Sequence, residues 1–469
     1  MTGITHCYFI GIGGIGMSAI ARYLHAEGLA VAGYDRTDSS LVASLKSAGM
    51  SISAGAPEAE ALAHFNRWLN AAPQEGTLVV RTPAVPNDFP VLVHARESGC
   101  RMGKRSEVLG WLTENKPTLA VAGTHGKTTT SALLAHLMNE QTSGCRAFIG
   151  GILVGTQSNA VWSPNAEWTV VEADEFDRSF LHLHPTHAAI TSTDPDHLDV
   201  YGDIASFHEG FKAFAERVSG TLFLEADVHI KGVNSMRYGV TASSSAAEAW
   251  QAAATALHIE KGWLTGDVWA GGRWHEGVRF PLAGIHNVKN ALAAVCLAEA
   301  AGADVEGCLK QLGTFQGIER RFAYHVRADH GIYIDDYAHH PVELEAAIAA
   351  ARLHHPGRKI TGIFQPHLFS RTRDNLVEFG RALAQLDRVF LLPVYPAREA
   401  PITGIDSQAL FENIPHPHKY LIESHQIFDN LKEFPPDVLM TLGAGDIDRC
   451  VQPLTHWLKE DPHRFKADT

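Results

Sequence analysis

The 469-residue sequence is short of cysteine, of positive charge and of long apolar runs, and each shortage closes off a class of protein. Its six cysteines (Cys7, Cys100, Cys145, Cys296, Cys308, Cys450) are scattered with no C-x-x-C pair. That argues against a disulfide scaffold or a zinc ribbon and for buried free thiols in a reducing compartment. Lys and Arg number 39 against 52 Asp and Glu, a formal net charge of −13. Neither nucleic acid nor an anionic membrane is therefore expected as the main partner, and an anionic substrate needs basic residues gathered locally. No apolar run approaches the ~20 residues of a spanning helix, so no membrane insertion is expected. The start of the chain lacks the charged n-region and cleavage site of a signal peptide, which makes a cytoplasmic location the expectation. No internal repeat or low-complexity tract is visible. What the chain does have is glycine and proline, 41 and 22 residues, within a composition that is 45% hydrophobic. This is the make-up of a loop-rich α/β enzyme, and the length suggests roughly three domains of about 150 residues.

The most informative stretch is Leu119-Ala-Val-Ala-Gly-Thr-His-Gly-Lys-Thr-Thr-Thr130. An apolar strand runs into a loop bounded by Gly123 and Gly126, and a helix-like pattern follows from Ser131. In such a loop the backbone N–H groups of Gly123, Thr124, His125 and Gly126 and the helix N-terminus face a nucleotide's phosphates. The Lys127 ammonium reaches the terminal phosphates and the Thr128 hydroxyl, beside Thr129, takes a Mg²⁺. The full G-x-x-x-x-G-K-[ST] pattern asks for glycine at position 121, where this chain has Val121. Downstream, Trp168-Thr-Val-Val-Glu-Ala-Asp-Glu175 reads as a strand ending in three carboxylates, hard oxygen ligands of the kind Mg²⁺ needs. Another strand ends at Asp194-Pro-Asp-His-Leu-Asp199, where His197 among acids is a candidate for a second metal or a phosphate contact. Residues 243–257 are Ala/Ser-rich and favour a helix. The loop Gly284-Ile-His-Asn-Val-Lys-Asn290 opens an Ala-rich helix, and its asparagines suit either capping or an adenine and ribose.

Residues 6–35 carry a second glycine loop. A strand from His6 to Ile10 leads into Gly11-Ile-Gly-Gly-Ile-Gly16, then an apolar-faced helix from Met17 and a strand ending at Asp35, 19 positions past Gly16. This is a dinucleotide fingerprint that equally holds any diphosphate, including that of a UDP-sugar. Prolines 83, 86 and 90 mark a loop at a strand end, before Lys104-Arg-Ser-Glu107. Beyond Thr314 the pattern changes again. Tyr333-Ile-Asp-Asp-Tyr-Ala-His-His-Pro341 reads as a strand ending in acids and histidines, and Glu343 to Ala351 as an amphipathic helix. Strands follow at Ile360–Phe364, Val389–Leu392 and Val438–Leu442, which implies another open α/β layer with polar loops at its strand ends. The paired histidines lack a third ligand at zinc spacing.

In this order, the Gly11–Gly16 loop, the Gly123–Thr130 loop and the Asp335-Asp-Tyr-Ala-His-His-Pro341 loop resemble the Mur ligases of peptidoglycan synthesis, over essentially the whole chain to about Gly445. The resemblance implies an α/β fold of three domains. Residues 1–114 would be a Rossmann-like domain for UDP-N-acetylmuramate, 115–317 a central P-loop ATPase with a mostly parallel sheet, and 318–469 a Rossmann-like domain that closes over the site. It implies ATP with Mg²⁺ at two sites (Mn²⁺ able to substitute), small-molecule substrates, and a monomer or homodimer. Gly11, Gly13, Gly14, Gly16 and Ser18, with Asp35, would serve the UDP diphosphate. Glu172, with Thr128, would bind the first metal and His197 the second. His286, Asn287 and Asn290 match the family's nucleotide loop, Arg321 its arginine near the γ-phosphate, and Asp336 its contact to the ATP ribose. Tyr337 and His367 fall in the amino-acid pocket of the alanine-adding branch, with His367 a candidate proton acceptor. Where the family often has His-Arg-Tyr this chain has His367-Leu-Phe369, leaving Arg371 or Arg373 as the replacement cation. Other members use a carbamylated lysine; Lys212 stands at a comparable distance from His197, but the alanine-adding branch usually lacks that feature.

The implied activity is ATP-dependent joining of L-alanine to the lactyl carboxylate of UDP-N-acetylmuramate through an acyl phosphate. A ligase that reattaches a recycled tripeptide shares the architecture but spells its first loop differently. A nicotinamide-dependent oxidoreductase would explain Gly11–Asp35 alone, and a non-catalytic nucleotide switch would bind ATP without amino-acid-dependent phosphate release.

Overall fold

The computed structural model describes residues 3–73, 75–195, 201–397 and 399–465. Three sheets, one per domain, organise the chain. The first is all parallel, in the order β3-β2-β1-β4-β5, from β1 (His6–Ile10), β2 (Ala30–Asp35), β3 (Ser51–Ala54), β4 (Thr77–Arg81) and β5 (Arg101–Lys104). Cys7 to Ile10 are fully buried, as befits a strand covered on both faces. The helix Ile15–Ala26 buries Met17, Ile20, Ala21 and Leu24, one stripe at helical spacing, and Gly28 follows it at φ +88°.

The second sheet comprises β6 (Thr118–Ala122), β7 (Cys145–Leu153), β8 (Ser158–Trp162), β9 (Trp168–Ala173), β10 (His187–Ile190), β11 (Leu222–Glu225), β12 (Met236–Val240) and β13 (Ala252–Glu260), completed by β14 (Trp263–Ala270) and β15 (Arg273–Phe280). Its parallel run is β13-β12-β11-β10-β6-β9-β7, with β8 antiparallel at the edge. The helix expected over 243–257 is confined to Ser244–Glu248. Ala252, Ala253 and Ala254 are fully buried strand residues instead, because pairing with β12 overrides alanine's helical preference.

The third sheet has the order β16-β17-β21-β18-β19-β20: β16 (Ala323–Ala328), β17 (Gly331–Asp336), β18 (Ile360–Phe364), β19 (Arg388–Leu391), β20 (Lys419–Leu421) and β21 (Val438–Leu442). Only β16 runs antiparallel. Alternation along these strands feeds two cores. Ile332, Ile334, Phe364 and Met440 pack on one face; Tyr333, Ile363 and Leu439 pack on the other.

The chain forms two compact units. One comprises Met1–Ala256, Asp267–Val278 and Lys289–Gln316; the other Leu257–Gly266, Arg279–Val288 and Gly317–Thr469. Within the first, a single hydrophobic core runs from Phe9 and Met17 to Ala120, Phe148 and Val171, with the Tyr23 and Phe148 rings edge-to-face at 5.3 Å. The first domain is thus packed as one body with the part of the second that lies in this unit. Among the described residues no helix is long and apolar enough to cross a membrane.

Candidate active site

The phosphate loop grows out of β6, all five of whose residues are buried. Val121, where the generic pattern wants glycine, lies inside that strand at zero exposure, so the turn begins only at Gly123. Gly123 and Gly126 adopt φ of +134° and +83°, and a Cβ on them would strike Thr191 Oγ1 and Asn290 Oδ1 respectively. The loop is tied to the next strand end. Thr124 Oγ1 donates to Asp194 O at 2.7 Å, His125 N donates to Ser192 Oγ at 2.8 Å, and Thr191 Oγ1 donates to His125 O. The helix Lys127–Gln141 then starts with Thr128 and Thr129 buried.

Lys127 Nζ donates to Gly123 O at 2.6 Å and pairs with Glu175 Oε2 at 2.6 Å. Both side chains are secluded, at 13% and 2% exposure. Burial opposes the Lys127 charge, but Glu175, Asp174 and Glu172 outweigh it and hold the ammonium above its usual range. Burial pushes the Glu175 carboxyl up to about 7, with Lys127 offsetting only part. Thr128 Oγ1 donates to Glu172 Oε1 at 3.1 Å, and Glu172 Oε2 accepts from Gly150 N at 2.9 Å. A threonine hydroxyl beside a carboxylate fixed by a backbone N–H is a hard oxygen set of the type Mg²⁺ takes. Glu175 was not singled out from the sequence, although it closes the acidic trio there. His197 lies outside the described residues.

In the first domain, Gly11 turns at φ +89° against Thr82, with 2.7 Å left for a Cβ. Asp35 clasps the loop, accepting from Gly13 N at 2.7 Å and from Thr37 N at 2.9 Å. Gly14 has more room, and Gly16 meets the Arg105 guanidinium, 2.7 Å from where a Cβ would stand. Ser18 departs from the expected diphosphate contact. It is fully buried, its hydroxyl donating to Ile15 O at 2.9 Å and accepting from Asn159 Nδ2 at 2.8 Å. A second Asn159 bond reaches Ile15 O at 2.5 Å. Arg105 also pairs with Asp174 at 3.0 Å, and Lys104 with Asp177 at 3.4 Å. Arg105 and Asn159 are site neighbours that sequence reading missed. Arg105 had a signal, a basic residue just after a strand end; Asn159 had none.

On the helix Ile285–Ala300, Asn290 backs Gly126, while Asn287 Nδ2 donates to Ala283 O at 2.7 Å, a helix-start role. The His286 ring lies against Gly284.

In the second unit, Arg321 stands between Arg320 and Phe322, both left-handed at φ +60° and +48°. The guanidinium carbons of Arg320 and Arg321 each lie 5.1 Å from the Tyr337 ring centre. Asp336 accepts from Phe322 N at 2.8 Å and Ala338 N at 2.7 Å; burial lifts its carboxyl to about 6. His367 stacks on Tyr395 with ring centres 5.8 Å apart and lies 5.9 Å from the His339 ring. Leu368 sits at φ +70° with its N–H on Tyr395 O at 2.9 Å. Arg371 Nη1 reaches His367 Nδ1 at 3.3 Å and is 9% exposed. Arg373 is exposed and paired with Asp374 at 2.7 Å. Of the two candidate cations, Arg371 is the one beside His367. Among the described residues the His339–His340 pair gathers no metal set: His339 Nδ1 faces Tyr337 O at 3.0 Å, and burial drives its imidazole down to about 3.

A phosphate loop with an acid-paired lysine, in a chain that also carries two further parallel-rich α/β sheets, defines an ATP-dependent enzyme of modular α/β build. Comparison with known families makes it specific. Models for the Mur ligase catalytic domain, the Mur ligase middle domain and the Mur ligase glutamate ligase domain match residues 6–117, 121–298 and 320–447. The chain belongs to the Mur ligase family. It is 41% identical to the UDP-N-acetylmuramate–L-alanine ligase of Cytophaga hutchinsonii, over 97% of each chain. It is 43% identical to that of Porphyromonas gingivalis W83, over 96% of this chain and 98% of the relative. Among solved structures, the UDP-N-acetylmuramate-alanine ligase of Thermotoga maritima aligns over 97% of this chain and 99% of its own, with a TM-score of 0.79 at 26% identity.

Proposed function

We propose that this protein joins L-alanine to the lactyl carboxylate of UDP-N-acetylmuramate, releasing ADP and phosphate, in the cytoplasm. The observation that carries this reading is the phosphate loop, with Lys127 on Glu175 and Thr128 on Glu172, in a chain that aligns over nearly its whole length with ligases of that name. A carboxylate is a poor acyl donor, so its oxygen first attacks the γ-phosphorus of ATP and ADP leaves. The alanine amine nitrogen then attacks the carbonyl carbon of the acyl phosphate, the C–O bond to phosphate breaks, and the proton the nitrogen loses passes to water or the departing phosphate as the amide forms.

Each residue has a part in this proposal. The Gly11–Gly16 loop and Arg105 hold the diphosphate, and Asp35 keeps the loop in shape. Lys127 exchanges Glu175 for the β/γ-phosphates, and Arg321 adds positive charge where the phosphoryl group moves. Thr128 and Glu172 would hold Mg²⁺, which when bound offsets phosphate charge. His367 has its Nδ1 on the Arg371 guanidinium, and a neutral imidazole has only one lone pair to offer. We therefore assign His367, Tyr337 and Arg371 to binding alanine, with Arg371 taking its carboxylate, rather than assigning His367 to proton removal.

The test is phosphate release from ATP and Mg²⁺ with UDP-N-acetylmuramate, with and without L-alanine, beside Lys127→Ala. Release that needs both substrates and disappears in the variant supports the proposal. Release with the L-Ala-γ-D-Glu-meso-diaminopimelate tripeptide but not with alanine would move the protein to the recycling branch.

A further inference from the structure

Asp336 is the residue whose geometry goes furthest beyond the reading above. We propose that it is a positioning residue: its carboxylate clamps the left-handed turn Arg320–Phe322 to the end of β17 and so fixes where the Arg321 guanidinium stands. The proposal rests on the ligase reading, which gives Arg321 its task.

The turn needs a clamp. Neither Arg320 nor Phe322 is glycine, yet both hold positive φ, a conformation that persists only where the surroundings over-determine it. Asp336 supplies that constraint. One carboxylate oxygen takes the N–H of Phe322 and the other that of Ala338, so each oxygen serves a different segment. The surrounding bonds continue the clamp. Tyr337 N donates to Arg320 O at 2.6 Å, Arg320 Nη2 donates to Gly443 O at 2.6 Å, and Gly443 N donates to Asp336 O at 3.2 Å. The Tyr337 ring, next in sequence to Asp336, is flanked by both guanidinium groups. Arg321 is thus aimed by a turn and a ring that share one carboxylate as anchor. Each of the two oxygens is engaged by one N–H of the protein's own backbone, so the clamp is complete without a ligand.

Asparagine at 336 keeps the shape but sets an amide NH₂ against one of two backbone N–H donors, so one half of the clamp becomes repulsive. The experiment measures kcat and KM for ATP and for 2′,3′-dideoxy-ATP with the full chain, for wild type, Asp336→Asn, Arg321→Ala and the double variant. We expect Asp336→Asn to lower kcat roughly 10- to 100-fold, by the same factor with either nucleotide. In the Arg321→Ala background it should cost nothing further, because the interaction it supports is already gone. A loss confined to ATP would make Asp336 a ribose contact and overturn the proposal. Unchanged kcat, or losses that multiply in the double variant, would also overturn it. If Asp336→Asn fails to fold, as judged by thermal unfolding, Asp336→Glu carries the same comparison; failure of both to fold would make the residue a folding determinant and sink the positioning role. Absence of turnover in wild type would instead count against the ligase reading, and is scored separately.

Discussion

Glu175 makes ATP binding a proton-linked event. Its carboxylate holds Lys127 at 2.6 Å, and burial lifts its pKa from 4.5 to about 7. When phosphates take Lys127, Glu175 loses the Lys127 charge that offsets part of its burial and is expected to bind a proton. Below about pH 7 it already carries one; as pH rises through 7 the proton has to be drawn from solvent. At pH 8 that requirement costs about 1.4 kcal/mol, a roughly tenfold weaker ATP affinity, and at pH 6 it vanishes. Glu175→Gln is permanently neutral, so it should bind ATP about tenfold more tightly than wild type at pH 8 and equally at pH 6. Titration calorimetry in buffers of different ionisation enthalpy should show proton uptake at pH 8 that is larger in wild type, the difference removing the nucleotide's own titration. The raised pKa also sets the sign for stability. The folded protein keeps a proton that the unfolded chain releases between about 4.5 and 7, so this group's contribution declines across that window. Parallel affinity-versus-pH curves for wild type and variant would refute the reasoning.

Two other substitutions test the site more simply. Gly126→Ala puts a methyl into Asn290 Oδ1 at a backbone φ of +83°, so ATP-dependent activity should fall by at least ~100-fold while UDP-substrate binding, followed by calorimetry, is retained. Arg371→Leu should raise KM for L-alanine by roughly 10- to 100-fold, the worth of a charge-assisted carboxylate contact, with KM for ATP little changed; equal rises in both would deny Arg371 an amino-acid role.

Local grammar made much of this protein readable. Strand, glycine turn and Lys-Thr at Leu119–Thr130 form one contiguous pattern, as do β18 and β21, whose bounds at Ile360–Phe364 and Val438–Leu442 match the apolar runs. What escaped notice depends on contacts distant in sequence. Ala252–Ala254 are strand only because β12 lies beside them. Ser18 is withdrawn from the diphosphate loop by Asn159, 141 residues away. Arg105 draws its meaning from Asp174, 69 positions on. Arg371 could not be told from Arg373 by spacing; the turn at Leu368 brings one guanidinium to His367 and leaves the other in solvent.

The Asn159 bonds to Ile15 and Ser18 bear on how such enzymes can be recombined. A substrate-recognition domain transplanted from a relative without serine at position 18 would leave the buried Asn159 amide with the Ile15 backbone carbonyl but without its hydroxyl acceptor. A chimera between members of this family that keeps this seam intact therefore carries Asn159 together with Ile15 and Ser18, which a crossover in the proline-ended linker near Pro117 would separate.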